Sequence, residues 1–87
     1  MVIKYHKRFE KNFRKRILPN KKLVIRFEER LILRIKNPKA GMLRDHQLIG
    51  KKSQYRAFSV TGDIRVVYWI KGKIIYLYDI GSHNQVY

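Results

Sequence analysis

The sequence predicts an α+β domain: an N-terminal strand, a helical hairpin, and then a meander of about four strands, forming an antiparallel sheet with the helices on one face. Three observations carry this. The apolar spacing is helical as far as residue 36 and alternates from about residue 54 onward. The composition is divided the same way: residues 1–39 hold 14 of the 21 Lys and Arg residues, whereas Tyr55, Phe58, Tyr68, Trp69, Tyr76, Tyr78 and Tyr87 all lie behind them. Finally, 87 residues suffice for one core and not two, so residues 1–87 are read as a single domain.

The elements follow in order. Residues 2–5 (VIKY) form a short strand. Over residues 7–18, Phe9, Phe13 and Ile17 recur every four residues, the spacing of one helical stripe, and Lys11, Arg14, Lys15 and Arg16 fall largely off it. Pro19-Asn20 punctuates. Residues 21–36 place Leu23, Val24, Phe27, Leu31 and Ile35 on the apolar side of a second helix, and the short connection makes the pair a hairpin. Asn37-Pro38 ends that helix, because the residue before a proline is driven out of helical geometry. Residues 43–49 read as a strand closed by Gly50, and Lys51-Lys52-Ser53 as a loop. Residues 54–60 alternate up to a Thr61-Gly62 turn. Residues 63–71 set Ile64, Val66, Tyr68 and Ile70 against Arg65, Val67 and Trp69. After the tight turn at Lys71-Gly72, residues 73–80 set Ile74, Tyr76, Tyr78 and Ile80 against Ile75, Leu77 and Asp79.

Charge narrows the function classes. A net charge of +15 on 87 residues demands an anionic partner: nucleic acid, an acidic protein or an anionic membrane surface. The absence of cysteine removes disulfides and thiolate metal sites and suits a reducing cytoplasm. No paired histidine spacing suggests a metal, and nothing calls for a cofactor. Apolar runs are only a few residues long, too short for a secretory signal or a membrane span. The sheet face left open by the helices, lined by Arg, His, Asp and aromatic side chains, suits a single-stranded polyanion. Lys and Arg hold phosphates there, and rings stack on bases.

Metal-free RNA cleavage needs a base for the 2′-hydroxyl, a cation for the charge growing on phosphorus, and an acid for the departing 5′-oxygen. Histidine suits both proton transfers, with an unperturbed pKa of about 6.5, and the arginine fork matches phosphate geometry. His46, His83 and Arg56 provide those parts. Asp63 is suited to orient a histidine, and Tyr87 to hold a splayed base. Lys51, Lys52 and Arg65 are candidate phosphate contacts. Taken singly, each has an ordinary structural role; taken together they form a nuclease set. His6, at the start of the first helix, is read as structural.

Three stretches resemble the RelE/ParE superfamily of bacterial toxins, and within it the YafQ-like mRNA interferases. Residues 45–50 (DHQLIG) are similar to a D-H-x-L-x-G segment, residues 55–68 to a Y-R-x-x…D-x-x-x-x-Y strand pair, and residues 80–87 (IGSHNQVY) to a closing G-[TS]-H-x-x-[LV]-[YF]. The resemblance implies a RelE-like fold and a ribosome-dependent endoribonuclease that cuts mRNA in the A site and is neutralised by an acidic antitoxin. It implies catalytic roles for His46 and His83, with His83 as general acid, an active-site Asp63, a phosphate-contacting Arg56 and a terminal aromatic, Tyr87. YafQ-like members often carry a further histidine where this chain has Ser59, and serine carries no proton near neutral pH. Two other functions fit the same composition: a non-catalytic RNA- or ribosome-binding module, and a ParE-like inhibitor of a topoisomerase, which would need no proton carriers on the open face.

Overall fold

A computed structural model describes residues 1–87. The chain order is β1 (Val2–Tyr5), α1 (Lys7–Arg16), α2 (Lys21–Lys36), β2 (His46–Gln47), β3 (Arg56–Ser59), β4 (Ile64–Lys71), β5 (Ile74–Ser82) and α3 (His83–Val86). One five-stranded sheet has the order β1-β5-β4-β3-β2. From β2 to β5 the neighbours run antiparallel, and β1 adds to β5 in parallel. The expected strand, helical hairpin and four-strand meander are all present. No helix is long and apolar enough to cross a membrane.

The helices form where the spacing places them. His6 caps α1, its Nδ1 accepting from the Arg8 amide, and Asn20 caps α2 through its side-chain oxygen. The inward faces meet through aromatic rings: Phe27 contacts both Phe9 and Phe13, with centroids 5.7 and 5.2 Å apart. Beneath them Phe58, Val66, Tyr68, Ile75, Leu77 and Ile80 complete the main core. A second, smaller cluster lies on the opposite sheet face, where Leu48, Ala57, Val67 and Val86 pack under α3.

Beyond the end of β1, α1 continues alongside the C-terminal half of β5. There Arg8 and Asn12 donate to the carboxylate of Asp79 at 3.0 and 2.7 Å, and Arg16 donates to the carbonyl of Ile80 at 3.0 Å. Asp79 is almost completely buried, so these donors are what make its charge tolerable.

The structure departs from simple alternation in β5. Alternation predicts that Ile74, Tyr76, Tyr78 and Ile80 share a face. Instead Ile75, Leu77 and Ile80 enter the main core while Tyr78 packs against Tyr55 on the open face. The cause is a β-bulge facing Val67/Tyr68: Tyr68 pairs with Leu77 but Val67 pairs with Asp79, leaving Tyr78 as the extra residue. The expected strand over residues 43–49 shrinks to His46–Gln47. Leu43 is fully buried in the main core, a short 3-10 turn over Gly41–Leu43 delivers it there, and Arg44 reverses the chain with a left-handed φ of 47°. The Lys51-Lys52 loop likewise contains a 3-10 turn, Gly50–Lys52. α1 ends at Arg16 rather than residue 18, because the amides of Ile17 and Leu18 both turn back to the Phe13 carbonyl.

Candidate active site

The site assembles where β2 and α3 meet. α3 begins at a capping box: Ser82 bonds the backbone at Gln85, and the Gln85 side chain accepts from the Ser82 amide at 2.7 Å. The S-x-x-Q pattern of this cap is legible in the sequence, although the helix is too short for an apolar period to reveal it. One turn of helix puts His83 and Tyr87 on the same face, with ring centroids 4.5 Å apart and nearly perpendicular. His46 also approaches Tyr87, edge to face, with a centroid distance of 6.2 Å. The three rings share an open cavity of about 370 Å³ with residues 47–49. Thus two histidines far apart in the chain meet one aromatic ring in a shared cavity.

Local bonds orient these groups. The His46 ring bonds the Arg44 carbonyl through Nδ1 at 2.9 Å. A carbonyl only accepts, so Nδ1 carries the proton and neutral His46 keeps its lone pair on Nε2. Lys52 donates to the carbonyl of Val86 at 2.7 Å, which ties the loop to the C-terminal end of α3. That bond gives Lys52 a positional role, whereas Lys51 is exposed.

The two arginines of the expected set diverge. Arg65 lies beside Tyr87: burial pushes the phenol up from its ordinary range while the Arg65 guanidinium pulls the other way. Arg65 is itself steadied by donation to the Thr61 carbonyl at 2.8 Å. Arg56 pairs across the sheet with Gln47, the neighbour of His46, and so leaves from the opposite face. Its Nε contacts Asp45 at 2.7 Å. Asp63 is exposed and immediately precedes the Ile64–Ser82 pair, which places it at the same end of the sheet as His83. No hydrogen bond joins Asp63 to either histidine; its amide donates to the Thr61 hydroxyl.

Asp45 is a part of the site that residue types alone did not reveal. Its carboxylate is 5% exposed and lies between Arg34 of α2, at 2.8 Å, and Arg56. It also accepts the hydroxyl of Tyr68. Burial, then the bond to Asp45, raises the Tyr68 pKa to about 12 against the opposing pull of Arg34. A helix, two strands and the loop that leads into β2 are therefore joined at one carboxylate. Arg16 is a second unforeseen neighbour. A Cβ on Gly81 would come within 2.5 Å of the Arg16 Nη1 and 2.7 Å of the Gln85 Oε1, so the glycine leaves room for a guanidinium at the base of α3. No group of three or more His, Asp or Glu side chains converges as a metal site would require.

Over residues 1–87 the chain matches the family described as the YafQ bacterial toxin of type II toxin–antitoxin systems. No curated protein matches it. Among solved structures, a copper-bound mutant toxin from Helicobacter pylori is 30% identical with a TM-score of 0.82, covering 100% of this chain and 99% of that one. YafQ in the E. coli DinJ-YafQ complex is 22% identical with a TM-score of 0.81, covering 98% and 96%. The YoeB/ParE toxin from Agrobacterium tumefaciens, at 16% identity and a TM-score of 0.81, covers 95% and 99% and shares the fold.

Proposed function

The chain belongs to the YafQ family of bacterial type II toxin–antitoxin toxins, and on that footing we propose that it is a cytoplasmic, ribosome-dependent endoribonuclease that cleaves mRNA without a metal ion. The observation that carries this reading is that His46 and His83 both lie against Tyr87 in one open cavity.

The Nε2 lone pair of His46 takes the proton from a ribose 2′-hydroxyl, and the freed oxygen attacks the adjacent phosphorus. Arg65, next to Tyr87, stabilises the charge that grows on the phosphoryl oxygens. His83, protonated at the start, gives its proton to the departing 5′-oxygen as the P–O5′ bond breaks. The products are a 2′,3′-cyclic phosphate and a 5′-hydroxyl. Tyr87 offers a ring for the splayed base, Asp63 a carboxylate at the His83 end, and Lys51 a phosphate contact. Arg56, held by Asp45, adds positive potential from beneath His46. Serine at position 59 leaves the two proton transfers to these two histidines.

The charge of +15 also suits neutralisation by an acidic antitoxin, as E. coli YafQ is found in complex with DinJ. The test is 5′-end mapping of mRNA after brief induction. Wild-type protein should generate new ends within coding regions, and His83→Ala should reduce them by roughly 10²-fold or more. Unchanged cleavage by His83→Ala would overturn the assignment. Topoisomerase inhibition with normal translation would point to the ParE-like function.

A further inference from the structure

A separate cavity, this one basic, lies where α2 meets the turn between β3 and β4. It has a volume of about 270 Å³, and Arg26, Arg30, Arg44, Ser59 and Thr61 line it with no acidic residue among the lining side chains. Arg26 and Arg30 are one helical turn apart on α2, a like-charge spacing that disfavours the isolated helix. None of the three arginines takes part in an ion pair. Arg30 is held in place by donation to the carbonyls of Met42 and Ser59, at 2.9 and 3.3 Å. Arg44 stands in the left-handed region, an uncommon conformation for a residue with a side chain. Three guanidiniums without a carboxylate among them are the chemistry of an oxyanion receptor.

We propose that this cavity binds a phosphodiester of the RNA strand, away from the scissile phosphate. The inference rests on RNA being the substrate. The carbonyl of Arg44 holds the His46 ring, and the Thr61 carbonyl holds Arg65, so the cavity is joined to the cleavage site through two residues of its own lining. A strand anchored here is held in register with the histidines, and the cavity then contributes to substrate affinity without entering the proton transfers.

The test uses His83→Ala protein, so that binding is measured without cleavage. Fluorescence anisotropy follows a labelled RNA of about 12 nucleotides across a series of salt concentrations. Replacing Arg26 and Arg44 together by Gln should weaken binding about tenfold and lower the salt slope by about 1–2, as two lost phosphate contacts require. A Lys7→Gln, Lys11→Gln pair removes the same charge from α1, and its effect should stay below about twofold. Circular dichroism and Tm verify that each variant is folded. Equal losses in the two pairs, or no loss in the arginine pair, would overturn the phosphate site and leave the nuclease reading standing. Failure of the starting protein to bind RNA at all would also overturn the phosphate site, whereas the nuclease reading falls only if no cleavage occurs on translating ribosomes.

Discussion

Replacing Asp45 by Ala should destabilise the protein far more than any exposed ion pair would suggest. The carboxylate is 5% exposed and pairs with Arg34, whose side chain is 9% exposed, and with Arg56, whose side chain is 41% exposed. It also accepts from Tyr68. Removing it leaves the Arg34 guanidinium buried without a counter-charge, a class of change that costs about 3–5 kcal/mol. Arg56 remains largely in water, so Arg56→Ala should cost only about 0.5–1 kcal/mol. Urea denaturation measures both. For a domain of this size, the first change corresponds to a Tm lower by well over ~10 °C. If the variant does not fold, Asp45→Asn retains the shape and one acceptor and should show an intermediate loss of about 2 kcal/mol. The double variant Asp45→Ala, Arg34→Met removes the stranded charge and should recover at least ~1 kcal/mol relative to Asp45→Ala. Asp45→Ala within ~1 kcal/mol of wild type, or Arg56→Ala as costly as Asp45→Ala, would refute the reasoning.

Three further outcomes are expected. Tyr68 has a pKa of about 12 in the folded protein and about 10 when unfolded, so its neutral form contributes stability that is complete below about pH 10 and declines as pH rises toward 12. Two pKa units set an upper figure of about 2.7 kcal/mol, and Tyr68→Phe should lose that slope in alkaline denaturation; an identical slope in the variant would assign it to other groups. Asp79→Ala leaves the buried Asn12 amide without its acceptor, while Arg8, with a side chain 50% exposed, returns to water; it should lower stability by about 1–3 kcal/mol in chemical denaturation, and a change below ~1 kcal/mol would mean that α1 is held by its apolar face alone. Gln85→Ala breaks the capping box of α3 and should cost about 1 kcal/mol while lowering the cleavage rate, because His83 opens that helix; full activity would show that His83 is placed without the cap.

Much of the fold could be read in the sequence because local pattern and tertiary burial agree there. Phe9 and Phe13 follow the helical stripe and pack on Phe27, and Val2–Tyr5 and Lys21–Lys36 form over the expected residues. The exceptions arise where tertiary contacts override local pattern. The β5 bulge redirects Ile80 into the core, and burial of Leu43 consumes part of the strand expected over residues 43–49. The candidate residues could be named by type, and His46, His83 and Tyr87 meet at one cavity. The partnerships were less legible. Asp45, Arg34, Arg56 and Tyr68 meet from four segments, and no spacing rule anticipates such a meeting. The face reached by Arg56 follows from strand register, which a single sequence leaves open.

The most direct measurement is the end chemistry of RNA fragments released from programmed ribosomes by purified protein in the presence of a chelator. Attack by the 2′-oxygen with His83 as acid predicts 5′-hydroxyl ends paired with 2′,3′-cyclic or 3′-phosphate ends, and roughly 10²-fold or greater loss in His46→Ala and His83→Ala. Fragments bearing 5′-phosphates, or undiminished cleavage by both variants, would contradict it.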